Sequence, residues 1–254
     1  MNIQWYPGHM TKTRRMIVDQ IKNVDAVCEI LDSRIPISSR NPDVDELTAG
    51  KPRLVVLNRV DQADPAATKQ WAAYFRSRGY AVMESNAKEG NGTKWFAAEV
   101  RELLSDKLKA YAEKGQVGRV VRVMILGIPN VGKSTFINSF ARKACTKTGN
   151  KPGVTKGKQW IRLNKNVELL DTPGILWPKF EDQTVGLRLA FIGSIKDELS
   201  NQYELCLLLL QYFKEYYPEA VPKAYQIDPA DTEVELLKNV AKRRGCLKSG
   251  GEYD

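Results

Sequence analysis

Apolar residues first fall at helical spacing at Met10, Ile17, Ile21 and Val24, with Lys12, Arg14, Arg15 and Lys22 turned outward, which predicts an amphipathic basic helix over about 10 to 23. Two short apolar runs of strand length follow, Asp25 to Asp32 and Leu54 to Leu57, separated by a segment rich in Pro, Ser and Asn. Both read as buried parallel strands. Asp64-Pro65 supplies an N-cap and an N1 proline for a helix carrying Trp71, Ala72, Tyr74 and Phe75, which Gly79 ends. Tyr80 to Met83 is a third strand, and Trp95, Phe96, Val100, Leu103, Leu104, Leu108 and Tyr111 predict one helix over about 93 to 114. After the run Val120 to Leu126, the segments Gln159 to Leu163 and Val167 to Leu170 flank Asn164-Lys165-Asn166 as a hairpin.

Beyond residue 174 the strand signal ends. Thr184 to Lys196, Asn201 to Tyr217 and Thr232 to Arg244 read as helices, with Pro218, Pro222 and Pro229 as breaks. The pattern predicts an α/β fold with a doubly wound, mostly parallel sheet over 1–177 and a small all-helical domain over 178–254, with Leu205 to Leu210 as that domain's core.

Composition changes this picture little. A chain of 254 residues with 43% hydrophobic and 27% charged content is an ordinary globular sequence. Its formal charge of +9 favours a polyanionic partner, nucleic acid or an anionic membrane surface. Cys28, Cys145, Cys206 and Cys246 are far apart and His9 is the sole histidine, so zinc and a disulfide framework are both poorly supported. The first ten residues lack a signal-peptide core, and Leu205 to Leu210 is far short of the roughly 18 to 20 residues of a membrane span, so a cytoplasmic, reduced protein is expected.

The chemistry is concentrated in Gly127-Ile128-Pro129-Asn130-Val131-Gly132-Lys133-Ser134-Thr135, between a strand and a helix. This is the context a phosphate-binding loop requires. Its backbone N–H groups turn onto phosphate oxygens, Lys133 reaches the β- and γ-phosphates, and the Ser134 hydroxyl suits Mg²⁺. Asp171-Thr172-Pro173-Gly174 ends a later strand, where Asp171 suits the Mg²⁺ shell and the Gly174 N–H the γ-phosphate. Thr155, between them, can bring a hydroxyl to Mg²⁺ from a loop. After the second strand, Asp61 of Asn58-Arg59-Val60-Asp61 can accept from guanine N1–H and N2–H₂, donors that adenine lacks. Asn58 suits the N7 and O6 side, the Arg59 stem the base face, and the Ala87 N–H the O6 atom.

These segments resemble the motifs of the translation-factor-related GTPases in a permuted order, with Asn58 to Asp61 and Ser85-Asn86-Ala87 ahead of the phosphate loop. With Trp5-Tyr6-Pro7-Gly8-His9-Met10 at the start, the chain resembles the YlqF group of circularly permuted GTPases, bacterial factors in large-subunit assembly. The resemblance implies GTP and GDP binding, Mg²⁺-dependent GTP hydrolysis, and GTP-controlled binding and release of a large-subunit precursor. It also implies a helical C-terminal domain on the ribosomal RNA, and a monomer is expected. Two positions depart from the common pattern. Arg59 stands where lysine is usual, and Ile175 follows Gly174 where many GTPases carry a water-orienting glutamine. The resemblance assigns that role to His9, so Lys133, Thr155, Gly174 and His9 form the expected catalytic set. An RNA-binding scaffold with incidental turnover and a P-loop ATPase remain as alternatives.

Overall fold

A computed structural model describes residues 8–90, 93–140, 159–177, 180–195, 201–230 and 232–246, without the side chains of residues 8, 9 and 93. Chain contacts divide it into two compact units, one over Gln4–Ile195 and one formed chiefly by Lys196–Asp254.

The first unit opens with α1 (Gly8–Gln20), whose Met10 and Ile17 are fully buried, and a 3₁₀ turn over Ile21–Asn23 completes the predicted segment. Every residue of β1 (Ala26–Asp32) and of β2 (Arg53–Asn58) is buried, as expected for strands covered on both faces. Between them lies α2 (Asp43–Leu47), too short to show a helical repeat in the sequence. The helix α3 (Pro65–Ser77) starts where Asp64 accepts from the Ala67 N–H, and β3 (Ala81–Ser85) follows. The single helix expected over 93–114 is instead a 3₁₀ turn, α4 (Phe96–Leu103) and α5 (Ser105–Glu113), broken at Leu104. Leu104 is buried at this break, so the apolar spacing carries straight across it and hides the change of helix.

Next come β4 (Val121–Leu126) and α6 (Lys133–Asn138), then β5 (Gln159–Arg162) and β6 (Val167–Asp171), which pair antiparallel as the predicted hairpin. The six strands run in the order β3-β2-β1-β4-β6-β5, parallel except for β5. One cluster places Ile17 of α1 with Val27, Met124, Leu126, Leu170 and Ile175, so α1 covers one sheet face.

The charges inside the strands are held by pairing. Glu29 on β1 and Arg53 on β2 are both buried, and Arg53 Nη1 meets Glu29 Oε2 at 3.1 Å. Arg40 adds a second cation, and both guanidiniums lie over the Tyr80 ring at 5.3 and 5.2 Å. Burial raises the Glu29 pKa, and the two arginines oppose that rise.

The first unit continues past residue 177, where the sequence suggested a boundary. It takes in α7 (Gln183–Phe191) because Leu189 and Ala190 are buried and the turn after them bonds to the loop behind β4. The second unit holds α8 (Gln202–Tyr216), α9 (Ala220–Tyr225) and α10 (Glu233–Arg244). Its core is Leu210, Val221 and Leu236 rather than the whole Leu205 to Leu210 run, in which Cys206 is exposed and Leu207 to Leu209 are half-buried. Pro222 does not break a helix. It sits in the first turn of α9, where its missing N–H has no intrahelical partner to lose.

Candidate nucleotide site

Parallel pairing brings the C-terminal ends of β1, β2, β3, β4 and β6 to one edge of the sheet. Asn58, the last residue of β2, pairs in register with Ser85, the last of β3, and with Asp32, the last of β1. Asp171, the last of β6, pairs with Ile125, two residues before Gly127. Only β1 separates β2 from β4, a step of roughly 10 Å across the sheet. The base-reading and phosphate segments expected from the sequence therefore occupy one crevice outside the strand ends, where ligands bind in open α/β sheets.

Asn58 joins the two halves. Its Nδ2 donates to Val131 O of the phosphate loop at 2.8 Å, and its Oδ1 accepts from the Ala87 N–H at 3.2 Å. The side chain is buried, and its second amide N–H has no partner among the described residues. Asn58 and Ala87, each expected to face guanine directly, thus also bond to each other. Gly132 fits the same arrangement: its φ is +96° and a Cβ there would lie 2.5 Å from Asn58 Nδ2.

Arg59 adopts φ 64° and its Nη2 donates to Asn130 O at 2.8 Å, while the Asn130 side chain donates to Gly193 O at 2.6 Å. Arginine therefore braces the phosphate loop from the position where a base-covering stem was expected. Asp32 holds the Arg34 guanidinium through both oxygens, at 2.9 and 2.7 Å, with Arg59 Nε 3.7 Å away. Sequence reasoning passed over Asp32 and Arg34, although Asp32 ends an apolar run in the same way that Asn58 does. Asp61 is exposed on a 3₁₀ turn over Val60–Gln62, and its charge reaches Arg34. Ser85 and Asn86 are buried behind Ala87, with the Asn86 Oδ1 accepting from the Glu89 N–H.

At the phosphate end, Lys133 is buried and its Nζ donates to Gly127 O at 3.0 Å and to Ile128 O at 2.7 Å. Burial lowers its pKa to about 8 against the opposing pull of Asp171. Asp171 is fully buried, and both of its carboxylate oxygens lack a hydrogen-bond partner among the described residues. Burial lifts its pKa to about 6, opposed by the Lys133 charge. A carboxylate in this condition is incomplete without a cation or its bound water, so the donor set of Asp171 and the half-buried Ser134 fits a hard divalent ion. Thr135 follows Ser134 in the first turn of α6. Gly174 lies against the phosphate loop so closely that a Cβ would meet Pro129 N at 2.6 Å. Ile175 is buried, and its backbone bonds to Gly127 O and to the Asn41 side chain. It therefore cannot orient a water. Thr155 and the lysines from Lys143 to Lys158 lie outside the described residues, as does the side chain of His9, whose backbone belongs to the first turn of α1.

Residues 122–244 match the protein family described as 50S ribosome-binding GTPase. A Bacillus cereus protein named ribosome biogenesis GTPase A is 50% identical, with 100% of this chain and 86% of that protein aligned. A mouse protein named mitochondrial ribosome-associated GTPase 1 is 33% identical over 94% of this chain and 75% of its own length. Among solved structures, GNP-bound YlqF from Thermotoga maritima superposes with a TM-score of 0.65 at 29% identity, covering 96% of this chain and 88% of that one.

Proposed function

The chain belongs to the ribosome biogenesis GTPase A family, and from that premise we propose that it binds a precursor of the large ribosomal subunit, contacts its RNA, and leaves as GTP is hydrolysed. The protein is a GTPase of ribosome assembly. The observation that carries the site assignment is the pair of hydrogen bonds from Asn58 to Val131 O and from the Ala87 N–H to Asn58, which joins the turn after β2 and the turn after β3 to the phosphate loop through one buried side chain.

In this reading Asp61 accepts from the guanine N1–H and N2–H₂, and the remaining Asn58 N–H meets N7. The loop N–H groups from Asn130 to Thr135 cradle the phosphates. Lys133 leaves the Gly127 and Ile128 carbonyls for the β- and γ-oxygens. Ser134, Thr155 and Asp171 would hold Mg²⁺, which neutralises charge on the phosphates when bound. The Gly174 N–H faces the γ-phosphate. His9 takes the place of the absent glutamine, as the family resemblance implies. We place the protein in the cytoplasm as a monomer; no described helix is long and apolar enough to cross a membrane.

Single-turnover GTP hydrolysis with and without large-subunit precursor particles tests this. The wild type should be slow alone and faster with particles, and His9→Ala should lose the stimulation while keeping nucleotide affinity. Equal rates for both proteins under both conditions remove His9 from the mechanism.

A further inference from the structure

At the opposite end of the sheet from the strand C-termini, the start of β4, the β5–β6 hairpin and the end of α1 line a cleft of about 430 Å³, apart from the crevice proposed for the nucleotide. Its walls include Gln20, Asn23, Arg122, Trp160, Arg162 and Glu168. Register places Arg122, Glu168 and Arg162 in one row across three strands, since Glu168 pairs with both arginines. Arg122 Nε meets Glu168 Oε2 at 3.3 Å, and its guanidinium lies 5.2 Å from the centre of the Trp160 ring. Trp160 is 40% exposed on the edge strand. Arg122 covers one face of the ring, and the area that stays in water can still stack a flat apolar partner.

We propose that this cleft takes one unpaired nucleotide of an RNA strand. The indole face stacks a base, as aromatic platforms on sheets do in single-strand recognition. Among the described residues Arg162 makes one long bond, from Nε to Asn164 O at 3.4 Å, which leaves its other donors for a phosphate. The Gln20 and Asn23 amides line the same cleft, with Asn23 Nδ2 donating to Gln20 Oε1 at 3.4 Å, and their other donors and acceptors suit a base edge.

Charge selects RNA over a peptide. The hairpin from Gln159 to Val167 carries Arg162 and Lys165 and no Asp or Glu. On the neighbouring helix and the turn after it, Lys12, Arg15 and Lys22 are exposed. A cleft of this volume also falls within the range of small-ligand sites, ~300–1,000 Å³. The inference rests on the proposed function only in taking RNA as the partner.

The test is fluorescence anisotropy of a labelled ten-nucleotide oligouridine with the GDP-bound protein. Trp160→Ala should weaken binding about tenfold and Trp160→Phe no more than about twofold, because stacking needs a ring rather than an indole. Arg162→Ala should flatten the salt dependence by about 0.7 in log–log slope, the loss of one phosphate contact. GDP affinity equal to wild type in each variant confirms folding. Equal oligonucleotide affinity of the wild type and Trp160→Ala overturns the proposal. So does a Trp160→Ala defect confined to intact particles, which would assign the cleft to a protein. GTP hydrolysis in the same variants reads the GTPase function separately, so either idea can fail alone.

Discussion

Replacing Asn58 by alanine separates a ligand-contacting residue from a structural one. If Asn58 braces the site, truncation strips partners from two buried backbone groups at once, Val131 C=O at 2.8 Å and the Ala87 N–H at 3.2 Å. Each such group left unsatisfied costs about 1–3 kcal/mol, and partial relaxation reduces the sum to about 2–4 kcal/mol. With a urea dependence of about 2 kcal/mol/M, the midpoint of the nucleotide-free protein should fall by about 1–2 M. GDP affinity should fall as well, because the two halves of the crevice are no longer held in register. A second variant sharpens the result. Gly132→Ala forces a Cβ to within 2.5 Å of Asn58 Nδ2 at a backbone φ of +96°, so it should be destabilising alone and less so in the Asn58→Ala background. Weaker GDP binding with an unchanged urea midpoint would refute the reasoning, since Asn58 would then contact the base without joining the two motifs.

Gly174→Ala should lower GTP hydrolysis far more than GDP affinity in single-turnover and binding assays, because its Cβ would strike Pro129 and push the γ-phosphate segment away from the loop. At Asp25, burial pushes the carboxyl up, but bonds from Lys107 at 2.8 Å and from the Arg122 N–H at 3.0 Å more than offset it and hold the pKa below its usual 3.8. Its folded pKa is depressed, so the stability it adds is present above 3.8 and is lost as pH falls through the folded value. Urea titrations should show Asp25→Asn less stable than wild type at pH 7, with the gap closing below about pH 4. In the helical unit, Leu236→Ala should cost about 2–5 kcal/mol in that unit's unfolding, because Leu236 packs against Leu210 and Val221.

The sheet was legible because β1 and β2 are unbroken apolar runs with turn residues on either side, and the phosphate loop because it lies between a strand and a helix. The pairing order was not written in any local pattern. It follows from packing, which sets β1 between β2 and β4 and so brings segments far apart in the chain to one crevice. Glu29 and Arg53 look like solvated charges in a one-dimensional reading, and only their mutual distance explains their burial. Arg59 and Asn58 were read for what they offer a base, yet their amide and guanidinium donors are also spent on the phosphate loop. The extension of the first unit to Ile195 depends on side-chain bonds such as Ser194 Oγ to Pro129 O at 2.9 Å, which no periodicity reports.

A crystal structure with a non-hydrolysable GTP analogue and Mg²⁺ tests the shared crevice most directly. The account predicts one nucleotide with its base edge on the Asp61 carboxylate, its γ-phosphate on the Lys133 ammonium and the metal against Asp171. A base turned away from Asp61, or a triphosphate bound anywhere but the loop after β4, would contradict it.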